Sequence, residues 1–191
     1  MEVCPRDEDL ARAFKIAGQG KISAETLSAI EGHSSVVYLR FPIDIRAQQE
    51  RLIKFTKILQ GLGGFAVKLE TCGIAHEWGR WHNLLSGSPF NIYSSAVVLV
   101  GDEQEYYSCG MHHFGLAESS APRSLAPGDA AHLMNQFNFW RIVENPHIES
   151  GHTFSADAES RRFRLLLEPD SRHEESHLFH NPHGVWRLVL A

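Results

Sequence analysis

Between Tyr107 and Gly115 the chain reads YSCGMHHFG, which sets a cysteine, a methionine and two adjacent histidines between glycines. All four side chains can ligate a transition metal, and imidazole or thiol can also move a proton. A second histidine pair, His180 and His183, lies in FHNPHG, and the chain has 12 histidines in all. A metal-dependent or acid–base site built from His112, His113, His180 and His183 is therefore one expectation. Three arguments stand against it. Adjacent residues of a strand face opposite sides, so His112 and His113 diverge unless the backbone turns between Gly110 and Gly115. No zincin or deaminase pattern surrounds them: His76-Glu77 lacks a second histidine four positions on, and although His173-Glu174 is followed by His177, HEESH falls in the loop DSRHEESHLFHNPHG, without the helix that would set both imidazoles on one face. No carboxylate or thiolate at ligand spacing accompanies the four. The expected role is thus hydrogen bonding to backbone at a structural corner, with Cys109 and Met111 inward and no cofactor.

Cys109 lies three residues from His112, but a nucleophilic pair also needs a third group to orient the base. Its strand neighbours Tyr107 and Met111 suit a small core hydrophobe better. The glycines of GQGK and GLGGF follow helices rather than strands, so they read as helix ends and not as phosphate loops. Carboxylates cluster in two turns: Asp102, Glu103 and Glu105 in one, Asp170, Glu174 and Glu175 in the other. These are either solvated turns or an acidic contact surface. Trp78 and Trp81 share one segment, and with Trp140, Trp186, Phe137, Phe139 and Phe154 they read as core.

The elements that must position these groups follow from periodicity. Leu10, Phe14 and Ala17 mark a first short helix; a second follows Ser23, its expected N-cap. SSVVYLRFP over 34–42 reads as a strand. A helix begins after Asp44, with Ile45, Leu52, Phe55, Ile58, Leu59 and Leu62 as its core-facing stripe, and a strand over 65–70 follows. Strand, helix and strand in sequence predict a right-handed βαβ unit. GIAHEWGRWHNLL predicts a third helix, and NIYSSAVVLV and EYYSCGM a hairpin about GDEQ. AESSAPRSLAPGD reads as a turn-rich link to a helix over DAAHLMNQFNFWRIVEN, and RFRLLLEP and VWRLVL as a closing strand pair. The predicted class is α+β: a mixed sheet with a βαβ unit, a hairpin and a C-terminal strand pair, helices mainly on one face. Residues 1–33 are expected to form a helical extension and 34–191 a single domain.

Over 191 residues, hydrophobic side chains make up 43%, charged ones 21%, and the net charge is −5. That composition is globular, and the acidic balance argues against nucleic acid as a partner. The three cysteines are odd in number and far apart, which argues against a disulfide framework. The first residues show no basic stretch followed by an apolar run, and SSAVVLVG is too short to span a bilayer, so a cytoplasmic chain without a membrane partner is expected.

The segments YYSCGMHHFGL, GHTFS and LFHNPHGVW resemble an uncharacterised bacterial domain-of-unknown-function family over about residues 34–190. Proteins similar to it occur in toxin and immunity loci. The resemblance implies an immunity role, and it carries no catalytic residue with it. Together with the two acidic turns it predicts a protein that binds a cognate toxin with a basic surface and occludes its active site. The contacts would be Asp102, Glu103, Glu105, Asp170, Glu174 and Glu175. The alternative is the histidine-based enzyme. A third reading is a homo-oligomeric scaffold, paired through the segment carrying Trp78 and Trp81.

Overall fold

A computed structural model describes residues 1–191 and divides them into two compact units, 1–95 and 96–191. The chain is α+β, with a six-stranded mixed sheet and two separate antiparallel strand pairs. No helix is long and apolar enough to cross a membrane.

The first unit opens with β1 (Glu2–Pro5), α1 (Leu10–Ala17), α2 (Ala24–Glu31) and β2 (Ser35–Tyr38). It continues with α3 (Gln49–Gly61), β3 (Ala66–Leu69), β4 (Ile74–Glu77), α4 (Trp78–Leu85) and α5 (Pro89–Ala96), whose last residue begins the second unit. Residues 1–33 are no extension. β1 pairs antiparallel with β2, and Leu10, Phe14, Ala17, Ile22 and Ile30 share one core with Ala75 of β4. Ser23 caps α2 as expected, accepting from Thr26 N at 3.1 Å. Ser23 Oγ also donates to Glu77 Oε1 at 2.7 Å, which ties the cap to β4.

The expected βαβ unit does not form. β2 pairs with β1 and β3 with β4, both antiparallel, so the two strands flanking α3 never share a sheet. For β3 the partner is a near neighbour: β4 begins after a four-residue turn and satisfies its backbone at less loop-closure cost than a crossover. Asp44 does not cap α3; its carboxylate takes Arg46 N at 2.9 Å, and Gln48 occupies the cap position. The helix expected over GIAHEWGRWHNLL divides into β4 and α4, and NIYSSA lies in α5 rather than in a strand.

Trp78 and Trp81 are inside this unit. The Trp78 indole donates to Gly64 O at 2.7 Å and that of Trp81 to Thr56 Oγ1 at 3.2 Å, so neither anchors an interface between copies.

The second unit carries β5 (Val98–Gly101), β6 (Glu105–Cys109), a single 3-10 turn (Met111–Phe114) and β7 (Glu118–Pro122). After them come α6 (Pro127–Glu144), β8 (Thr153–Phe154), β9 (Phe163–Glu168) and β10 (Val185–Leu190). The strand order is β5-β6-β7-β10-β9-β8, with β7 and β10 parallel and every other pair antiparallel. The hairpin and the closing strand pair are as expected. The link expected over AESSAPRSLAPGD instead contains β7, an interior strand whose residues 118–121 are buried. α6 covers the sheet with Leu133, Met134 and Phe137 against Leu165, Trp186 and Leu188. Burial of such side chains contributes about 1.5–3 kcal/mol each, so this layer is the rigid floor on which the candidate site stands.

Candidate functional site

The polar centre of the second unit is Glu118, the first residue of β7 and 1% exposed. Its Oε1 accepts from Gly110 N at 3.0 Å, Met111 N at 2.9 Å and Asn181 Nδ2 at 2.9 Å. His112 Nδ1 lies 3.3 Å from the same oxygen, and Ser108 Oγ donates to Oε2 at 2.7 Å. Burial alone would raise the Glu118 pKa, but the hydrogen bonds from His112, Ser108 and Asn181 outweigh it and hold the group below the usual carboxylate range. The arrangement joins three segments, the third of them distant in sequence. The β6 exit supplies 108–112, β7 supplies the carboxylate, and Asn181 arrives from the loop before β10.

Local geometry explains how the chain reaches it. β6 ends at Cys109, and Gly110 at φ +123° turns the backbone into the 3-10 helix, which Gly115 closes at φ +71°. The strand alternation expected to separate His112 from His113 therefore does not apply, and the two rings meet edge-on with centroids 4.2 Å apart. The imidazoles differ in environment. His112 is directed by Glu118, while its Nε2 is buried without a hydrogen-bond partner among the protein's atoms. His113 Nδ1 lies 3.2 Å from Ala96 O, and burial, with His112 beside it, lowers its pKa to about 4.

The His113 shift carries a sign. Its folded value lies below the ordinary 6.5, so the unfolded chain takes up the proton first on acidification. The stability that depends on a neutral His113 is complete above pH 6.5 and drains away as pH falls toward about 4. At about 1.4 kcal/mol per pKa unit the loss reaches about 3 kcal/mol. Urea unfolding followed at steps from pH 7.5 to 4 should show this slope in the wild type. His113→Gln, whose amide can still reach Ala96 O, should flatten it. An unchanged slope in that variant would assign the acid sensitivity elsewhere.

Cys109 is buried, and burial, reinforced by the Glu118 charge, pushes its thiol up to about 12. It stays protonated at neutral pH. None of the three cysteines is in a disulfide.

The four candidate histidines do not converge. His180 Nδ1 lies 3.1 Å from His173 O, and His183 borders a shallow cleft of about 220 Å³ with Arg141 and Trp186. No group of three or more His, Cys, Asp or Glu side chains is arranged to hold a metal ion.

The acidic residues divide. Asp102, Glu103, Glu174 and Glu175 are exposed. Glu105 is half-buried and lies 3.9 Å from Arg187. Asp170 is internal: its carboxylate accepts from Asn181 N at 3.0 Å and lies 3.1 Å from Arg172 Nε. It holds the loop and is not available as a contact residue. The two acidic loops are nonetheless neighbours. The Arg172 guanidinium sits 4.4 Å above the Tyr107 ring. Backbone hydrogen bonds from Glu105 and Gln104 lower the Asp102 pKa, and Arg172 and Arg123 add to the effect.

The sequence alone does not single out Glu118, Asn181 or Ser108. Their signals were faint: one acid in a run of small residues, and an asparagine between histidines that drew attention to themselves. Comparison with family models, curated proteins and solved structures yields no match.

Proposed function

We propose that the chain is a cytoplasmic immunity-type protein that binds a cognate bacterial toxin and occludes its active site. The observation that carries this reading is the proximity of the two acidic loops. Turn 102–105 and loop 170–175 are far apart in sequence, yet Arg172 stacks on Tyr107 and acts on the charge of Asp102. Glu103, Glu174 and Glu175 are exposed on these two neighbouring loops, with Asp102 held in its turn by Gln104 N and Glu105 N at 2.8 and 2.9 Å. Such a pair of loops suits a partner whose active-site surface is basic. Complementary charge acts chiefly on the association rate and on partner choice. The resemblance of YYSCGMHHFGL and LFHNPHGVW to a family found in toxin and immunity loci supports the same reading.

The test is co-expression and co-purification with the product of the adjacent gene. A complex that protects the host is expected, and neither complex nor protection would sink the proposal. Within the complex, Glu103→Lys/Glu174→Lys/Glu175→Lys should slow association at least tenfold at low salt and flatten its salt dependence. Asp102 is spared because its carboxylate builds the turn. Association kinetics that ignore the triple reversal would move the interface off these loops.

One observation favours a second reading, a histidine-based enzyme. Glu118 orients His112 through Nδ1 and leaves Nε2 uncommitted, which is how a carboxylate prepares an imidazole to act as a base. Elemental analysis of untagged protein addresses its metal-dependent form, and stoichiometric metal lost in His112→Gln would favour it.

A further inference from the structure

α3 buries only part of the apolar stripe its sequence suggests: Ile45 is buried and Leu52 and Leu59 are half-buried, but the rest is not. Phe55, Ile58 and Leu62 recur at spacings of three and four, so they share a face, and that face is turned to solvent. Their exposures are 40%, 49% and 78%. The residue turned furthest inward is Thr56, 3% exposed, with Leu52, Ile53 and Leu59 half-buried around it. Its hydroxyl donates to Leu52 O at 2.6 Å, receives the Trp81 indole at 3.2 Å and lies 3.1 Å from His82 Nε2. On the same side Gln49 donates to Leu85 O. These polar contacts with α4 set the rotation of α3, and Phe55, Ile58 and Leu62 are left outside. Phe65, just beyond the helix, is 42% exposed, and the Phe41 ring stands edge-on to Phe55 at 6.1 Å. A contiguous apolar stripe on an ordered helix is the mark of an interaction surface.

Charge identifies what it fits. Arg51, Lys54 and Lys57 are exposed along α3, and its one acid, Glu50, lies in the first turn where it suits the helix dipole. The stripe is thus flanked by cations on a chain whose net charge is −5. A second copy docking through the same face would set these cations against their own equivalents. An anionic membrane gains about 1 kcal/mol from each basic residue near its surface, which the net negative charge of the rest of the chain opposes. We infer that α3 docks an amphipathic segment of a partner protein, with apolar side chains for Phe55, Ile58 and Leu62 and flanking carboxylates for Arg51, Lys54 and Lys57. The surface lies in residues 1–95 and does not depend on the acidic loops of the second unit, so either proposal can fail alone.

Two fluorescein-labelled synthetic helical peptides of equal leucine spacing test it, one flanked by glutamates and the other by lysines. In fluorescence anisotropy at physiological salt the acidic peptide should bind the wild type at least tenfold more tightly than the basic one. Lys54→Glu/Lys57→Glu should invert that preference, and Ile58→Ser/Leu62→Ser should weaken binding at least tenfold. Because the substituted positions are exposed, thermal midpoints should stay the same or rise. Four results would overturn the inference: neither peptide binds, the peptides bind alike, the protein forms a dimer abolished by Leu62→Ser, or it co-sediments with phosphatidylserine vesicles at the same salt.

Discussion

Glu118→Ala should unfold the second unit under conditions where the first remains folded. The substitution removes the acceptor for the amides of Gly110 and Met111, for the Asn181 amide and for the Ser108 hydroxyl, and it releases His112. Each buried donor left without a partner costs about 1–3 kcal/mol. Because the donors belong to one network the costs do not simply add, and a total of about 4–5 kcal/mol is expected. At roughly 4–8 °C per kcal/mol for a unit of this size, the midpoint should fall by about 15 °C or more. Glu118→Gln keeps one acceptor oxygen and should lose less, about 1–3 kcal/mol. Acid acts on the same network. The folded pKa of Glu118 is held below its ordinary value, so its stabilisation is complete above pH 4.5 and fades as pH falls through the folded value. Asn181→Asp is the complementary experiment, since it faces Glu118 Oε1 with a second carboxylate in place of an amide donor at 2.9 Å. Thermal unfolding by near-ultraviolet circular dichroism of all three variants would check the order Ala, then Gln, with Asp strongly dependent on pH. An alanine variant as stable as wild type would mean that the network does not hold the corner.

The elements that could be read from the sequence are those in which local preference and tertiary environment agree. α6, β6, β9 and β10 have the right period and composition, and they form where expected. β7 does not announce itself. Glu-Ser-Ser-Ala-Pro has little β-propensity, and it becomes a strand because β6 and β10 offer it a ladder on both sides. Its acid is tolerated in the interior only because five groups from elsewhere surround it. β1 was hidden for a related reason: four residues ending in proline form a strand once β2 lies beside them. In NIYSSA the aromatic and β-branched residues argued for a strand, and α5 overrode them. The helical spacing of Phe55, Ile58 and Leu62 was real, but periodicity gives the face and not the direction it points. That direction came from Thr56, Trp81 and His82, a contact no spacing rule contains. The candidate site follows the same logic. YYSCGMHHFGL and LFHNPHGVW stood out separately, and the residue that joins them, Glu118, sits just outside both.

Gly110→Ala should be nearly as damaging as the loss of Glu118, by a different route. At φ +123° an L-residue is strained whatever surrounds it. Here a Cβ would also fall on the Ala96 carbonyl oxygen and within 3.0 Å of Val97 Cα. Neither backbone atom can yield cheaply. Val98 follows at once and pairs with Cys109, and the Ala96 carbonyl is within reach of His113 Nδ1 at 3.2 Å. Moving Gly110 instead would withdraw its amide from Glu118. Backbone strain of about 1–3 kcal/mol plus an overpacking cost of about 1–3 kcal/mol gives an expected loss of about 3–5 kcal/mol. Gly151→Ala separates the two contributions. Gly151 also has positive φ, +100°, but a Cβ there meets nothing within 4 Å, so only the strain should register. Urea titrations of the two variants should differ by the cost of the Ala96 contact, about 2 kcal/mol. Equal losses would mean that the chain has room to relax around Gly110, and that the corner binding β6 to Glu118 is looser than its hydrogen bonds imply. A larger loss at Gly110, together with a His113 that titrates closer to 6.5, would show that Ala96, Gly110 and His113 yield as one unit.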